Sequence, residues 1–254
     1  MLKITILGSG TSHGVPMIGC HCEVCASPDP RDKRMRPSII MGIDGYNVLV
    51  DAAPELRLEM IATNIDVAEA VLLTHGHADH LHGIDDVRRF NEQLGRAVPV
   101  YGTPALLADI RIRFPYIFSH NGLGGGIPSI ELRPIDGPFT LNGRTIIPVP
   151  VWHGETPVTT YRVDGFAYVT DTNYIPPASC SLLEGLDILI LDALRREPHP
   201  THFNFEQALE VVERLKPKLT YFTHLTHTTL HAAVEAELPR HVRLAYDGLT
   251  MELP

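Results

Sequence analysis

The sequence has no apolar run long enough to cross a membrane, no internal repeat and no low-complexity segment. Its first residues, 1–8, are apolar over too short a stretch for a signal peptide or a membrane span, so we expect a soluble, cytoplasmic protein. Positive charge is also scarce, since 21 Lys and Arg stand against 30 Asp and Glu, a formal net charge of −9. A general nucleic-acid binder needs a basic face, so we expect neither nucleic acid nor a membrane as a partner.

One turn is dense in residues that bind metals. It follows the apolar run 70–73, which predicts a short buried strand, and it contains His75, His77, Asp79 and His80 within six residues. Imidazole nitrogens and carboxylate oxygens are the ligands that zinc or manganese accepts. A solvated polar turn is the alternative, but four candidate ligands at this spacing favour a metal site.

Predicted strands and helices alternate along the chain, with several hairpins among them. Strands are predicted at 1–8, 38–43, 46–50, 70–73, 98–101, 129–135, 144–152, 159–163, 167–170, 186–191, 219–222, 242–244 and 250–253. Helices are predicted at 54–63, 84–94, 104–113, 205–216 and 228–238, with Asn204 as an N-cap. This mixture predicts two mixed sheets faced by helices, a four-layer αββα sandwich, in one domain over residues 1–254.

Further polar residues lie just past predicted strands: Asp51, His153, Asp171 and His224. A lone histidine is more often structural than a ligand, but this placement is repeated at four strand ends. Because strand ends can meet at one edge of a sheet, we expect these side chains to gather near the histidine-rich turn.

Cysteine is rare, yet three of the four cysteines, Cys20, Cys22 and Cys25, lie within six residues. Without a secretion signal, this spacing favours a metal over disulfides. A closed zinc site needs a fourth ligand. His227, three residues after His224, is one candidate and His21 is another; three reduced thiols without metal are the remaining alternative.

Two loops are open to more than one interpretation. Residues 114–134 include a glycine-rich segment and predict a mobile flap beside the active site, since a long loop inside a compact domain is either functional or disordered. Residues 27–36 carry Arg31, Lys33, Arg34 and Arg36, which we interpret as a solvated surface, with substrate contact as the alternative.

The pattern H-x-H-x-D-H followed by Gly83 resembles the signature of the metallo-β-lactamase superfamily. Segment 11–16, the three cysteines, the paired histidines near the C-terminus and segment 246–248 more closely resemble phosphoribosyl 1,2-cyclic phosphate phosphodiesterases. The resemblance implies two divalent ions, manganese or zinc, and one structural zinc bound by Cys20, Cys22, Cys25 and His227. One active-site ion would be held by His75, His77 and His153, and the other by Asp79, His80 and His224.

The same resemblance assigns three further roles. Asp171 would bridge the two ions, and Asp51 would orient the turn rather than bind metal. His202 would be catalytic, donating a proton to a poor alkoxide leaving group; capping of the next helix or packing against Phe203 is the alternative.

We therefore predict a hydrolase that cleaves a small anionic cyclic phosphodiester, phosphoribosyl 1,2-cyclic phosphate or a related nucleotide, with a hydroxide that bridges two metal ions. Two alternatives share the metal-binding turn. One is a ribonuclease Z-like RNA-processing nuclease, which the acidic composition and the lack of a basic arm disfavour. The other is a lactonase or thioesterase, which has less need of an extra general acid. Whether the chain forms a homodimer is left open.

Overall fold

Two seven-stranded sheets form the centre of the structure, a computed structural model that describes residues 1–119 and 126–253. In spatial order, the first sheet contains β14 (Thr250–Leu253), β1 (Leu2–Gly8), β2 (Ser38–Ile43), β3 (Tyr46–Val50), β4 (Ala70–Leu72), β5 (Val98–Gly102) and β6 (Ile130–Pro134). The second contains β13 (Val242–Leu244), β12 (Leu219–Thr223), β11 (Ile188–Asp192), β10 (Phe166–Val169), β9 (Thr156–Val163), β8 (Arg144–His153) and β7 (Phe139–Leu141).

Both sheets are mixed in the same way. In the first sheet, β14, β1, β2 and β3 pair antiparallel, and β3 to β6 pair parallel. In the second, β7 to β10 pair antiparallel and β10 to β13 pair parallel. Parallel strands place their carboxyl ends at a common edge, so residues that follow these strands can converge.

Short helices lie against the sheets and in the loops. They are α1 (Glu23–Ala26), α2 (Leu56–Thr63), α3 (Ala78–Leu81), α4 (Val87–Leu94), α5 (Pro104–Arg113), α6 (Pro115–Phe118), α7 (Pro177–Leu182), α8 (Phe205–Leu215) and α9 (His231–Glu235), with 3₁₀ turns at Pro30–Asp32 and Ile84–Asp86. Apolar residues of α2, α4 and α5 pack on the outer face of the first sheet, and those of α8 and α9 pack on the second.

The core between the sheets follows the two-residue period of the strands. In β2, Ile39 and Met41 point into the space between the sheets, whereas Ile40 packs under the helices. Opposite them lie the large side chains of Tyr161 and Tyr168, both fully buried. The layers therefore run helix, sheet, sheet, helix, which confirms the predicted αββα sandwich.

Several predicted elements have the bounds that the sequence indicated. The hairpin of β2 and β3 turns at Asp44 and Gly45, both at positive φ, as expected for this two-residue turn. Asn204 caps α8, and its side chain and that of Gln207 form a reciprocal capping box. By contrast, the predicted helix 228–238 is helical only over α9, and β7 was not predicted.

The structure describes only part of the predicted flap 114–134. Its flanks form α6 and β6, while residues 120–125, which include Gly122, Gly124 and Gly125, lie outside the described residues. Across the described ranges, every helix is too short or too polar to span a bilayer.

Candidate metal centres

The predicted site residues lie at the carboxyl ends of five strands. Asp51 directly follows β3, His153 is the last residue of β8, Asp171 follows β10 by two residues, and His224 directly follows β12. The histidine-rich turn joins β4 to α3. The structure brings these residues together, with Asp171 at the centre of three groups whose donor atoms lie within 4.8 Å of one another.

Three of these residues leave their strands in left-handed backbone conformations. Asp51, Asp171 and His224 have φ values of 64°, 48° and 64°. This conformation turns the chain sharply at the strand end, and it costs a non-glycine residue roughly 1–2 kcal/mol. Strain of this kind occurs at sites where the surrounding structure holds a side chain in place.

Asp51 fixes the histidine-rich turn. Its Oδ1 accepts hydrogen bonds from the backbone N–H of Thr74 at 2.8 Å and from the Thr74 hydroxyl at 3.0 Å. Its Oδ2 accepts from His80 Nδ1 at 2.7 Å, which directs the other ring nitrogen of His80 into the site. These hydrogen bonds suit the orienting role predicted for Asp51, which stays a prediction.

The first group contains Asp79, His80, Asp171 and His224, all buried. Asp171 Oδ1 lies 3.1 Å from His80 Nε2 and 3.3 Å from His224 Nδ1. Neither nitrogen has a hydrogen-bond partner of acceptable geometry among the described residues. Buried polar atoms are normally paired, so these convergent nitrogens are suited to a cation between them and the carboxylates.

The predicted histidine triad is divided between two groups. His75 and His77 lie with Asp171, whereas His153 lies with Asp171 and His202. The ring of His153 is 5.2 Å from that of His77 and 6.0 Å from that of His75, measured between centroids. His77 is exposed at the mouth of the site, and His75 is buried with Nε2 unpartnered among the described residues.

The protonation states in this cluster suit a divalent cation. Burial keeps the pKa of His75 well below its usual value and also lowers that of His224, which favours the neutral, metal-binding form of both rings. Burial raises the pKa of Asp171, but His224 and His80 outweigh it and hold the pKa well below its usual range. Burial lowers the pKa of His80, yet Asp171, Asp51 and Asp79 hold it well above. The carboxylates therefore require positive charge at this point, and the donor set fits zinc or manganese.

His202 lies beside this cluster and is held by Asp192, the last residue of β11. His202 Nδ1 donates to Asp192 Oδ2 at 2.7 Å, and the ring stacks on His224 with centroids 4.7 Å apart. Burial lowers the pKa of His202, but the charge and hydrogen bond of Asp192 raise it to about 9. Asp192 was not predicted, although it ends an apolar strand just as Asp51, His153, Asp171 and His224 do.

A second group of donors contains Cys20, Cys22, Cys25 and His227. His227 Nδ1 lies 3.4 Å from Cys22 Sγ and 3.5 Å from Cys20 Sγ, and none of the cysteines forms a disulfide. A hydrogen bond from the Cys25 N–H and one from His227 lower the pKa of Cys22 to about 6, which favours the metal-binding thiolate. His21, the alternative fourth ligand, is exposed and outside this group.

The prediction of a solvated surface at residues 27–36 is wrong for Arg34. Its side chain is fully buried, pairs with Asp32 at 3.1 Å, and donates to the carbonyl oxygens of Thr226 at 3.1 Å and Thr229 at 2.8 Å. These carbonyls flank His227, so the guanidinium joins the loop after the cysteines to the segment that carries the fourth donor. Carbonyl acceptors from a distant segment explain the burial, and no local pattern reveals them.

Comparison with known proteins identifies the family. A family model described as a β-lactamase superfamily domain matches residues 46–225, more than two thirds of the chain. The chain belongs to the β-lactamase superfamily. A crystal structure described as a new diphosphatase from the PhnP family is 43% identical, with a TM-score of 0.93, and the match covers 100% of this chain and 98% of the other. This chain is thus also a member of the PhnP family and has the metallo-β-lactamase fold, which confirms the predicted resemblance.

Two relatives of similar sequence are described by activities other than diphosphate hydrolysis. An octanoyltransferase from Porphyromonas gingivalis is 36% identical over 98% of this chain, but the chain spans only about half, 51%, of that protein. A ribonuclease Z from a Mycobacterium species is 26% identical, and the match covers 88% of this chain and 84% of the relative.

Proposed function

We propose that this β-lactamase-superfamily hydrolase cleaves a small anionic phosphodiester by means of two divalent metal ions, manganese or zinc. The ligands in this proposal are His75, His77, Asp79, His80, His153, Asp171 and His224. Their support is the convergence of imidazole nitrogens and ionised carboxylates around Asp171, with the neutral form favoured at His75 and His224. Two bound ions would activate a water molecule by lowering its pKa and would neutralise charge on the phosphoryl oxygens.

The observation that carries the proposal is the pair of His202 and Asp192. Hydrolysis of a thioester or a phosphoanhydride expels a weaker base than a sugar alkoxide, which departs only with a proton or equivalent charge. His202 donates its Nδ1 proton to Asp192, so Nε2 is free to hold a second proton for the leaving oxygen. The raised pKa of His202 favours that protonated form, and cations nearby would bring the pKa back toward neutrality.

The charge of the site favours an anionic substrate. Two divalent ions outweigh the two carboxylates Asp79 and Asp171, so the site attracts a phosphate ester although the whole chain carries a net charge of −9. With the family resemblance, this supports a five-membered cyclic phosphate such as phosphoribosyl 1,2-cyclic phosphate, or a related nucleotide.

Diphosphate hydrolysis is the second candidate, because the relative with 43% identity is described as a diphosphatase. It needs the same metals and the same activated water but less help from His202. RNA processing ranks lower, despite the ribonuclease Z relative, because a net charge of −9 disfavours binding of a long polyanion. A thioesterase expels a thiolate, so it would leave the pair of His202 and Asp192 without a clear purpose. A lactonase also expels an alkoxide, but the positive charge of the site favours an anionic phosphodiester over a neutral lactone.

A structural zinc held by Cys20, Cys22, Cys25 and His227 completes the proposal. Three thiols and one imidazole with no open position form a closed site. The octanoyltransferase name belongs to a protein about twice as long as the matched region, so the name gives no support for acyl transfer by this chain. We propose one domain over residues 1–254.

The experiment is a substrate panel assayed on protein whose metal content is measured in the same sample. It contains cyclic phosphodiesters, linear phosphodiesters, nucleoside diphosphates, a precursor tRNA and a lactone. Turnover highest on cyclic phosphodiesters, with more than one active-site metal per chain, supports the proposal. Turnover confined to diphosphates would favour the second candidate, and tRNA trimming without phosphodiester cleavage would reverse the ranking.

A further inference from the structure

The loop that carries His202 has no regular secondary structure. It runs from the end of β11 at Asp192 to the start of α8 at Phe205, and residues 196–198 within it are exposed. A general acid must be held to a fraction of an ångström, because a misplacement of about 1 Å can lower the rate of reaction 10²-fold. Contacts from other segments must therefore hold this loop in place.

The backbone just before His202 is held at two successive carbonyl groups. His153 Nδ1 donates to the carbonyl oxygen of Thr201 at 2.7 Å. The side-chain amide of Asn173 donates from Nδ2 to the carbonyl oxygen of Pro200 at 3.0 Å. Together, these hydrogen bonds fix the direction in which the chain enters His202.

Asn173 also holds the turn that follows β8. Its Oδ1 accepts from the backbone N–H of Gly154 at 2.8 Å, and its own N–H donates to the carbonyl oxygen of Trp152 at 3.0 Å. His153 lies between these two residues. The same turn packs closely on the His202 loop, since a Cβ at Gly154 would lie 2.8 Å from Thr201 Cγ2.

Both halves of the Asn173 amide are therefore used, one on each side of the site. The side-chain oxygen Oδ1 holds the turn that contains His153, and the side-chain nitrogen Nδ2 holds the loop that contains His202. Asn173 itself follows Asp171 by two positions. We infer that Asn173 is a positioning residue that sets the distance between the proton donor His202 and the ligand cluster. This inference rests on the proposed role of His202 as general acid.

The substitution Asn173→Asp separates the two contacts. A carboxylate oxygen still accepts from Gly154, but the other oxygen now faces the carbonyl of Pro200 and repels it. Asn142→Asp is a matched control, since Asn142 Nδ2 donates in the same way to the carbonyl oxygen of Ile43 at 2.7 Å, on a turn between β7 and β8. Each variant loses one neutral hydrogen bond, which contributes about 1 kcal/mol to stability.

We would measure kcat and KM on two phosphodiesters, one that expels an alkoxide and one that expels nitrophenolate, together with melting temperature and metal content. Asn173→Asp is expected to lower kcat for the alkoxide substrate by about 10–100-fold, with a smaller loss for nitrophenolate and KM nearly unchanged. Its melting temperature and metal content should match those of Asn142→Asp. In the metal-free protein, amide exchange over residues 196–203 should be faster in Asn173→Asp than in the control.

The variant His202→Ala, alone and combined with Asn173→Asp, separates this inference from the proposed function. If Asn173 acts through His202, the combined variant is no slower than His202→Ala. Equal losses on both substrates for Asn173→Asp, beside a leaving-group-dependent loss for His202→Ala, would overturn the inference alone. No leaving-group dependence in either variant would overturn the role of His202 and that of Asn173 together.

Discussion

Removing the negative charge of Asp192 should lower kcat without moving the side chain of His202. Asp192 Oδ2 accepts from both His202 Nδ1 and the Thr172 N–H at 2.7 Å, whereas Oδ1 has no partner among the described residues. In Asp192→Asn, the amide oxygen can occupy the position of Oδ2 and the NH₂ group that of Oδ1. The substitution therefore removes the negative charge and keeps both hydrogen bonds.

The magnitude follows from the pKa of His202. Burial alone would lower it, yet Asp192 raises it to about 9, roughly 2.5 above the reference value, or about 3 kcal/mol. Cations bound in the site lower the pKa of His202 in wild type and variant alike, so the difference between them persists. Since an acid acts below its pKa, Asp192→Asn should move the alkaline limb of the kcat profile down by about two pH units and lower kcat at pH 8 about 10²-fold.

The assay compares pH profiles for an alkoxide and a nitrophenolate leaving group. The loss should be large for the first and small for the second, which departs without a proton. Asp187→Asn, just before the start of β11, is the control, because Asp187 pairs with the exposed Lys218, away from the site. An unshifted alkaline limb in Asp192→Asn, or an equal loss on both substrates, would refute the reasoning.

Cys22→Ser should release the structural zinc and lower the melting temperature by roughly 10 °C, whereas Cys180→Ser should change neither the zinc content nor the melting temperature; a stable variant with full zinc would count against that site. His77→Ala combined with His80→Ala should abolish turnover and reduce active-site metal in elemental analysis, and retention of both would contradict the ligand assignment. Glu59 is buried without a hydrogen-bond partner among the described residues, and burial raises its pKa well above the usual value. The neutral carboxyl group of Glu59 contributes fully to folding stability below the unfolded pKa of about 4.3. This contribution is lost as pH rises through the folded pKa, because the buried group must then ionise. Glu59→Gln should therefore be more stable than wild type at pH 8 and similar at pH 4 in thermal melts; the reverse order would show that the carboxyl group is ionised and paired.

The sequence predicted the elements whose signals are local. The β2–β3 hairpin depends on the turn residues Asp44 and Gly45, and α8 depends on the capping box begun by Asn204, so both were predicted with nearly correct bounds. Strand ends also carried the signal for the site, because a polar residue at the end of an apolar run marks the point where a strand reaches the edge of its sheet.

Features that depend on distant contacts were not predictable in this way. Arg34 is buried because carbonyl groups almost 200 residues away accept its hydrogen bonds. Asp192 and Asn173 act through the His202 loop, and only the folded chain places that loop beside β8 and β10. The division of His153 from His75 and His77 likewise depends on three-dimensional packing rather than spacing.

The left-handed backbone at Asp51, Asp171 and His224 has a consequence for engineering. At each position, glycine would relieve roughly 1–2 kcal/mol of backbone strain, but it would also remove a side chain, which at Asp51 accepts buried hydrogen bonds from Thr74 and His80. Thermostable variants of this protein should therefore carry their changes away from these strand ends. A variant stabilised at any of the three would be expected to have gained its stability at the expense of turnover.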